Sequence, residues 1–576
     1  MQPKSLHELL ELHQVYPLSW SPDGSTLLVA SDLPGTRQLF TLPAEGGELE
    51  QLTDYAEPVS GFHLPDGRIL LEIDGAGNER TQLHILGEGP LVSDPRFNHW
   101  TPHASHDGKL LAYTTNRRNG RDFDVVVREL AGNGDEQTFE LGGYIGVDSI
   151  SPNGRWVVAV RGNERAGDYD LLLLEVASGE VVHATPHEDA AEYGPTVWSA
   201  DSSGFFASTN EGRDTLAIAH YDLATAEWRV TTESDWDLMC FGDGGGQNLV
   251  VIANEDGYSR SNDVAFPGDG VADHFVFSPD GTKVAYSFST TREPHQVWVY
   301  ELESGKPPRR LTGDGPIEGV DPTLHRFESF DGESIPVFLF QPEGDGPFPV
   351  VVTIHGGPES QWQPWYSAGF GAFTQHLVSR GYAVAAPNVR GSSGYGKRFL
   401  SLDDVEKRLD SVADLASLHG WLAARPEIDG TRQVVYGRSY GGYMVLAALA
   451  FQPELWAAGL ECVGISSLRT FLENTSEYRR AVREAEYGPL SDPDLLDRLS
   501  PWSRLDAIRA PLFIEHGRND PRVPVSESEA IHRALVDRGV RSELVIYEDE
   551  GHMIDKLPNR IDCFERMVGF LGEVLS

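Results

Sequence analysis

A short pattern of polar turn residues followed by an apolar run recurs through the first half of the chain. For example, Asp23-Gly24 leads into the strand-like run Thr26-Leu27-Leu28-Val29-Ala30. Aspartate bonds nearby backbone and glycine accepts positive φ, so each copy predicts a hairpin turn followed by a strand. The acidic or amide position recurs at Asp23, Asp66, Asp107, Asn153, Asp201, Asp243 and Asp280, of which the copy around Asp243 is degenerate.

The spacing of these copies is about 40 residues, which is the length of one blade of a β-propeller. We therefore assign residues 16–315 to a seven-bladed β-propeller. A succession of ordinary hairpins in a β-sandwich is the alternative, which the regular spacing disfavours.

From about residue 320, apolar runs alternate with amphipathic helical segments. A β-hairpin is predicted over residues 327–340, and further strands at 350–354, 383–386, 433–436, 512–514 and 544–547. Apolar strands alternating with helices predict a doubly wound, mostly parallel sheet that is covered on both faces. Ligand sites in such sheets form beyond the carboxyl ends of the strands. We assign this second domain to residues 316–576.

The segment Gly437-Arg438-Ser439-Tyr440-Gly441 matches the pattern G-x-S-x-G. The pattern alone is weak, but a strand is predicted to end at Tyr436 and a helix to begin near Tyr443. This strand–turn–helix context is that of the nucleophile elbow of an α/β-hydrolase fold. It predicts that Ser439 is a catalytic nucleophile, with a structural serine in a tight turn as the alternative.

A serine nucleophile needs a base and a group that orients the base, in the chain order Ser, Asp or Glu, His in this fold. Asp520 follows the strand at 512–514, and His552 follows the strand at 544–547. We predict that Asp520 is the orienting acid and His552 the base. The neighbouring alternatives are Asp549 and Glu550, expected in a solvated loop, and His516, expected to pack at a strand end.

An oxyanion hole in this fold uses two backbone N–H groups. One is predicted to be that of Tyr440, directly after the nucleophile. The other is predicted to be that of Gly357, in the loop His355-Gly356-Gly357-Pro358 after an early strand. This mechanism needs no metal, and no cofactor is predicted.

The net charge and the composition of the chain limit the classes of molecule that it is expected to bind. The formal charge is −42, with 88 acidic and 46 basic residues, which argues against nucleic acid because phosphate binding needs a basic surface. No stretch reaches the roughly 18 apolar residues of a membrane helix, and no signal peptide is evident. The three cysteines, Cys240, Cys462 and Cys563, are odd in number and far apart in sequence, which predicts buried, reduced thiols of a cytoplasmic protein. Whether the chain forms a homo-oligomer is left open.

Five stretches together resemble the prolyl oligopeptidase family of serine peptidases. They are residues 355–358, 388–396, 437–444, 516–524 and 549–552. The resemblance implies that the propeller covers the hydrolase and restricts it to short peptide substrates. It also implies a short N-terminal helix, Ser5 to His13, that packs back on the hydrolase, so residues 1–15 are assigned to that segment.

The His355 loop most resembles the acylaminoacyl-peptidase branch, which releases N-acylated amino acids from blocked peptides. No paired-glutamate signature for a free peptide amine is evident. By motif position, Arg522 is implied to hold the P2 carbonyl. Candidates for the S1 wall are Val523, Tyr440, Ile465, Leu468 and Phe471.

Two features of the resemblance stay open at the level of sequence. Arg479 and Arg480 either meet a substrate carboxylate or lie on a solvated helix face, and Arg438 departs from the family's commoner glycine.

The alternative functions are a dipeptidyl peptidase, carboxypeptidase or oligopeptidase of the same family, a carboxylesterase, and a propeller interaction module with a vestigial hydrolase.

Overall fold

The computed structural model describes residues 4–131, 133–367 and 369–576, so the first three residues of the predicted segment 1–15 lie outside the described residues. Over these ranges, the first half of the chain forms seven small antiparallel sheets, six of four strands and one of three. The seven-bladed propeller is confirmed. Its strands, blade by blade, are β1 (Val15–Trp20), β2 (Thr26–Ser31), β3 (Gln38–Pro43) and β4 (Glu50–Gln51); β5 (Val59–His63), β6 (Ile69–Ile73), β7 (Gln82–Ile85) and β8 (Gly89–Val92); β9 (His99–Ala104), β10 (Leu110–Thr115), β11 (Asp124–Glu129) and β12 (Glu136–Phe139); β13 (Ile145–Ile150), β14 (Trp156–Gly162), β15 (Tyr169–Glu175) and β16 (Val181–His183); β17 (Tyr193–Trp198), β18 (Gly204–Thr209), β19 (Ala217–Asp222) and β20 (Glu227–Thr232); β21 (Asp237–Gly242), β22 (Leu249–Glu255) and β23 (Tyr258–Arg260); and β24 (Val271–Phe277), β25 (Lys283–Thr290), β26 (Glu293–Glu301) and β27 (Arg309–Arg310).

Every predicted turn copy connects the first strand of a blade to the second. In the first copy, Asp23 Oδ1 accepts from the Ser25 N–H at 3.0 Å and Gly24 has a φ of 70°. The copy at Asp280 repeats this arrangement, with the Thr282 N–H at 3.0 Å. The ring closes where β1 meets the last blade, and the Trp20 indole donates to the Val276 carbonyl.

The second half of the chain forms an eight-stranded sheet with helices on both faces. The strand order is β28-β29-β31-β30-β32-β33-β34-β35, antiparallel only at β28-β29 and β29-β31. Its strands are β28 (Thr323–Glu328), β29 (Ser334–Phe340), β30 (Phe348–Ile354), β31 (Ala383–Pro387), β32 (Ile428–Arg438), β33 (Ala458–Cys462), β34 (Leu512–Gly517) and β35 (Ser542–Tyr547). The helices are α1 (Leu6–Leu10), α2 (Phe370–Ser379), α3 (Lys397–Leu400), α4 (Arg408–Ala423), α5 (Tyr440–Phe451), α6 (Leu468–Asn474), α7 (Glu477–Tyr487), α8 (Pro493–Leu499), α9 (Ser526–Asp537) and α10 (Leu557–Val574), with short 3-10 turns at Ser401–Asp403, Val405–Lys407 and Pro501–Ala507.

The sheet buries its two faces in two hydrophobic clusters. The strand Ala458–Cys462 was not predicted, because its sequence AGLEC is short and contains a glutamate. The doubly wound α/β-hydrolase fold is confirmed. None of the helices in the described ranges combines the length and the apolar character needed to cross a bilayer, and the three cysteines are free and buried.

One helix of the hydrolase reaches into the propeller. Tyr478, near the start of α7, packs edge-on against Trp100 and Phe123 of the propeller, with ring centroids 5.3 and 5.7 Å apart. Edge-to-face aromatic pairs of this kind add stability beyond the area they bury. The α7 helix is therefore fixed to both domains.

The helix α1 packs on α2 and α10 of the hydrolase. A capping box between Ser5 and Glu8 satisfies its first backbone donors. Its apolar face, which includes Leu9 and Leu10, is buried in the cluster that covers one face of the large sheet. The Tyr366 hydroxyl donates to the Leu9 carbonyl at 2.8 Å and secures the end of the helix.

We expect Leu9→Ala to destabilise the hydrolase by about 2–5 kcal/mol, the usual effect of truncating a buried leucine. Thermal unfolding followed by calorimetry would show a lower midpoint for the hydrolase transition. The exposed Glu11→Ala on the same segment is the control. Equal midpoints for the wild type and Leu9→Ala would show that α1 is not part of the hydrolase core.

Candidate active site

Ser439 lies at the sharp turn between β32 and α5. Its backbone has φ of 61° and ψ of −119°, a conformation that residues with a side chain rarely adopt. The helix begins at Tyr440, three residues earlier than predicted, so the N–H of Tyr440 is among the first four of α5, which have no partner within the helix. This geometry is that of a nucleophile elbow.

Neighbouring backbone leaves no room for side chains beside the turn. A β-carbon on Gly441 would collide with the carbonyl oxygen of Ile354, and one on Gly437 would collide with the backbone of Gly441. Glycine is the residue that permits such close approach. This close approach of neighbouring backbone explains both glycines of the motif.

The structure brings Asp520 and His552 together beyond the ends of β34 and β35. Asp520 Oδ2 lies 2.7 Å from His552 Nδ1, and both side chains are buried. Asp520 Oδ1 accepts from the N–H groups of Arg522 and Val523 at 2.7 and 3.0 Å. Burial raises the pKa of Asp520, but His552, His516 and the Val523 N–H together outweigh burial, and the pKa lies below its usual value. The carboxylate is therefore ionised and aligned with the imidazole.

The neighbouring alternatives have other partners. His516 Nδ1 lies 2.7 Å from Ser528 Oγ and its Nε2 lies 2.9 Å from the Val523 carbonyl, at the end of β34. Asp549 is exposed and pairs with Lys556. Glu550 differs from the expectation of a solvated loop, because it is buried and accepts from the N–H groups that precede α10.

The loop at residues 355–358 lies beside Ser439, and the N–H of Gly357 has no acceptor among the described residues. His355 anchors the loop, with Nε2 2.8 Å from the Ser392 hydroxyl and Nδ1 2.8 Å from the Gly356 carbonyl. Burial lowers the pKa of His355 to about 4, so its imidazole is neutral at pH 7. The predicted pair of N–H donors, Gly357 and Tyr440, thus flanks the serine.

Arg438 connects the elbow to the histidine loop. It is buried, its Nη2 lies 2.5 Å from Glu515 Oε2, and its Nη1 donates to the His552 carbonyl at 2.8 Å. Glu461 is buried beside this pair, and burial raises its pKa to about 8, so it is protonated at neutral pH. One ion pair below the site therefore ties β32 and β34 to the backbone of His552.

A cavity of about 110 Å³ opens beside Ser439. Of the predicted S1 residues, Ile465, Phe471 and Val523 line it. Leu468 does not, because it is fully buried in the hydrophobic cluster below. The side chain of Tyr440 is also elsewhere, with its hydroxyl 2.9 Å from Asp403 Oδ2. The full lining is Gly357, Ser439, Ile465, Phe471, Arg479, Arg483, Tyr487, Arg522 and Val523.

Three arginines line this cavity. Arg522, the predicted contact to the P2 carbonyl, has its Nε 2.5 Å from Glu79 Oε1 of the propeller, and Arg479 lies 3.6 Å from the same carboxylate. Arg483 donates to the Gly357 carbonyl at 3.4 Å. Arg480 faces away and donates to the Leu472 and Glu473 carbonyls at the end of α6.

A second cavity, of about 370 Å³, lies on the His552 side of Arg522. Its lining carries four carboxylates and two arginines, so its charge is opposite to that of the first cavity. Burial and the nearby carboxylates raise the pKa of Asp74 in this lining. The charged lining residues are Glu72, Asp74, Glu79, Asp555, Arg37 and Arg522.

The charged residues that sequence analysis missed include Glu79, Arg483 and Glu515. Glu515 had a usable signal, since a glutamate inside the apolar run Leu512-Phe513-Ile514 must find a partner when the strand is buried. Glu79 and Arg483 had no such signal, because each follows ordinary polar surface patterning.

Comparison with known proteins adds to this geometry. The sequence model described as the prolyl oligopeptidase family matches residues 369–576. Dipeptidyl aminopeptidase BIII of Pseudoxanthomonas mexicana is 25% identical over 96% of this chain and 86% of its own length. The acylamino-acid-releasing enzyme of Homo sapiens is 26% identical over 65% of this chain and 49% of its own length. A solved puromycin-hydrolyzing peptidase of Mycobacterium tuberculosis has the same fold, with a TM-score of 0.84 at 19% identity, covering 100% of this chain and 97% of that one.

An α/β-hydrolase sheet that carries a nucleophile elbow and is covered by a seven-bladed propeller, together with this match, defines a serine peptidase. The C-terminal part of the chain, residues 369–576, belongs to the prolyl oligopeptidase family.

We expect Arg438→Met to lower kcat about 10- to 100-fold with little change in KM, because small displacements of a catalytic group have effects of that size. The single variant also leaves Glu515 buried and unpaired, which is destabilising. The double variant Arg438→Met/Glu515→Gln should recover stability but not kcat, because the bond to the His552 carbonyl stays absent. Arg432→Met, on the same strand but in a surface pair with Asp429, is the control. Wild-type kcat in the double variant would contradict the positioning role.

The neutral His355 predicts a pH dependence of stability. Its folded pKa of about 4 lies below the ordinary 6.5, so between these values the unfolded chain binds a proton that the native chain does not. Stability is therefore lost as pH falls from 6.5 to 4, by at most about 3 kcal/mol from this group. In His355→Asn, the free energy of unfolding from urea titrations should fall less steeply across this window. Equal slopes would show that His355 does not titrate as stated.

Proposed function

We propose that Ser439, Asp520 and His552 form the catalytic triad of this peptidase, and that it removes N-acylated amino acids from short blocked peptides. The observation that carries the triad is the buried 2.7 Å pair of Asp520 and His552, beyond the ends of β34 and β35 in the same parallel sheet whose strand β32 leads to the Ser439 elbow.

In this mechanism Ser439 attacks the scissile carbonyl while His552 takes its proton. Asp520 fixes the imidazole tautomer and stabilises the imidazolium. The N–H groups of Gly357 and Tyr440 stabilise the oxyanion, each contributing roughly 3 kcal/mol to the transition state. His552 then protonates the leaving amine, and water hydrolyses the acyl-enzyme.

The preference for a blocked amine is supported by the charges beside Ser439. A free ammonium needs an unengaged carboxylate, and the described residues that line the cavity beside Ser439 include none. The nearby Glu79 already pairs with Arg522 and Arg479. An N-acyl group is neutral and requires no counter-ion. The propeller above the site is consistent with short peptides as substrates.

A dipeptidyl aminopeptidase is the second candidate. It is favoured by the acidic cavity next to His552, whose carboxylates suit a peptide ammonium, and by the likeness to dipeptidyl aminopeptidase BIII. The two candidates share the triad and differ in the end of the peptide that is recognised.

Matched short peptides with an acetylated or a free N-terminus separate these candidates. We expect the acetylated peptide to have the higher kcat/KM and to release an acetyl-amino acid, with Ser439→Ala as the blank. Turnover that requires the free amine would establish the dipeptidyl alternative instead. Hydrolysis of a p-nitrophenyl ester with no peptide cleavage would overturn the peptidase assignment of the site in favour of an esterase.

A further inference from the structure

The cavity beside Ser439 carries more positive than negative charge. Glu79 lies between Arg522 and Arg479, at 2.5 and 3.6 Å. Arg483 has no carboxylate within 4.0 Å among the residues that the structure describes. One carboxylate therefore pairs with two of the three guanidinium groups at this cavity, in a chain whose formal charge is −42.

The arginines of α7 are held in place by the helix, and the side chain of Arg479 is only 11% exposed. Arg479 and Arg483 lie one turn apart on α7, so their side chains lie on one face of that helix. Burial lowers the pKa of Arg479, and repulsion from Arg522 and Arg483 lowers it further. Tyr478, packed against the propeller, fixes the start of the same helix.

The cavity also has the size and the position to receive part of a substrate. Its volume of about 110 Å³ is the space of roughly four water molecules, which suits a short side chain or a chain end. Apolar walls from Ile465, Phe471 and Val523 adjoin Ser439, and the arginines lie at the same cavity. Arginine forms strong, charge-assisted hydrogen bonds with carboxylates, often two at once.

We propose that this cavity binds a carboxylate of the substrate, with Arg483 and Arg479 as specificity-determining residues. The carboxylate comes either from an acidic P1 side chain or from the C-terminus of the residue after the scissile bond. The inference rests on the proposed function in taking Ser439 as the nucleophile. It extends that function by naming the chemical class of substrate.

The first arm of the test compares acetyl-Glu-p-nitroanilide with acetyl-Gln-p-nitroanilide, which have the same shape and no C-terminal carboxylate. The second arm compares acetyl-Ala-Ala with acetyl-Ala-Ala-amide. We expect the wild type to prefer the carboxylate in one of the arms by about 10- to 100-fold in kcat/KM, the usual effect of a hydrogen bond to a charged group. The arm that responds identifies the source of the carboxylate.

Arg483→Gln and Arg479→Gln should each lower that preference toward one, and Arg483→Lys should retain part of it. Arg480→Gln is the matched control, since Arg480 lies on the same helix but bonds to the end of α6. Ratios within 3-fold of one in both wild-type arms, or ratios that no variant changes, would overturn the proposal.

A binding measurement keeps this test independent of turnover. Calorimetric titration of Ser439→Ala compares acetyl-Glu-amide with acetyl-Gln-amide, and acetyl-Ala-Ala with acetyl-Ala-Ala-amide. Tighter binding of a carboxylate ligand, lost in Ser439→Ala/Arg483→Gln, supports the proposal even if no peptide is hydrolysed. Absence of peptide hydrolysis would then reject the proposed function alone, and equal binding of both members of each pair would reject the carboxylate site alone.

Discussion

At Ser439 the chain turns from strand to helix through a backbone conformation that is unfavourable by about 1–3 kcal/mol. The turn persists because β30 and β33 hold β32 on both sides, and because Gly437 and Gly441 let neighbouring backbone approach closely. Every other part of the site is placed relative to this turn. The loop of Gly357 follows β30, and the loops of Asp520 and His552 follow β34 and β35, on the far side of β33 from β32.

Below the active site, the ion pair of Arg438 and Glu515 joins β32 and β34. These strands lead to the loops of Ser439 and Asp520. Burying the charges of Arg438 and Glu515 is expensive, and their attraction offsets this only with good geometry and further hydrogen bonds. Arg438 has both, since its second nitrogen donates to the His552 carbonyl. The charge pair therefore contributes less to net stability than to fixing where the histidine loop lies.

Much of this organisation could be predicted from sequence because it depends on local patterns. Turn residues before apolar runs predicted every blade, and the elbow motif predicted the position of Ser439 in the fold. The partner of Arg438 could not be predicted, because Glu515 is 77 residues away and reaches it only through the strand order β32-β33-β34. The sequence also did not show which residues of the short helix α6 face the cavity. Phe471 points to the cavity while Leu468, one turn earlier, is buried in the core. The pairing of Glu79 with Arg522 and Arg479 could not be predicted either, because it depends on how the propeller and the hydrolase pack together, and no local sequence pattern specifies that packing.

The docking of Tyr478 in the propeller has a mechanical consequence. The first turn of α7 contacts the propeller through Tyr478, and Arg479 and Arg483 of the same helix line the cavity beside Ser439. If the two domains swung apart at this edge, the helix could not follow both, and the arginines would lose their position beside Ser439 or Tyr478 would leave its aromatic partners. The pocket is thus complete only while α7 contacts both domains. A ligand that engages these arginines would stabilise this arrangement, because a ligand favours the state that it binds more tightly.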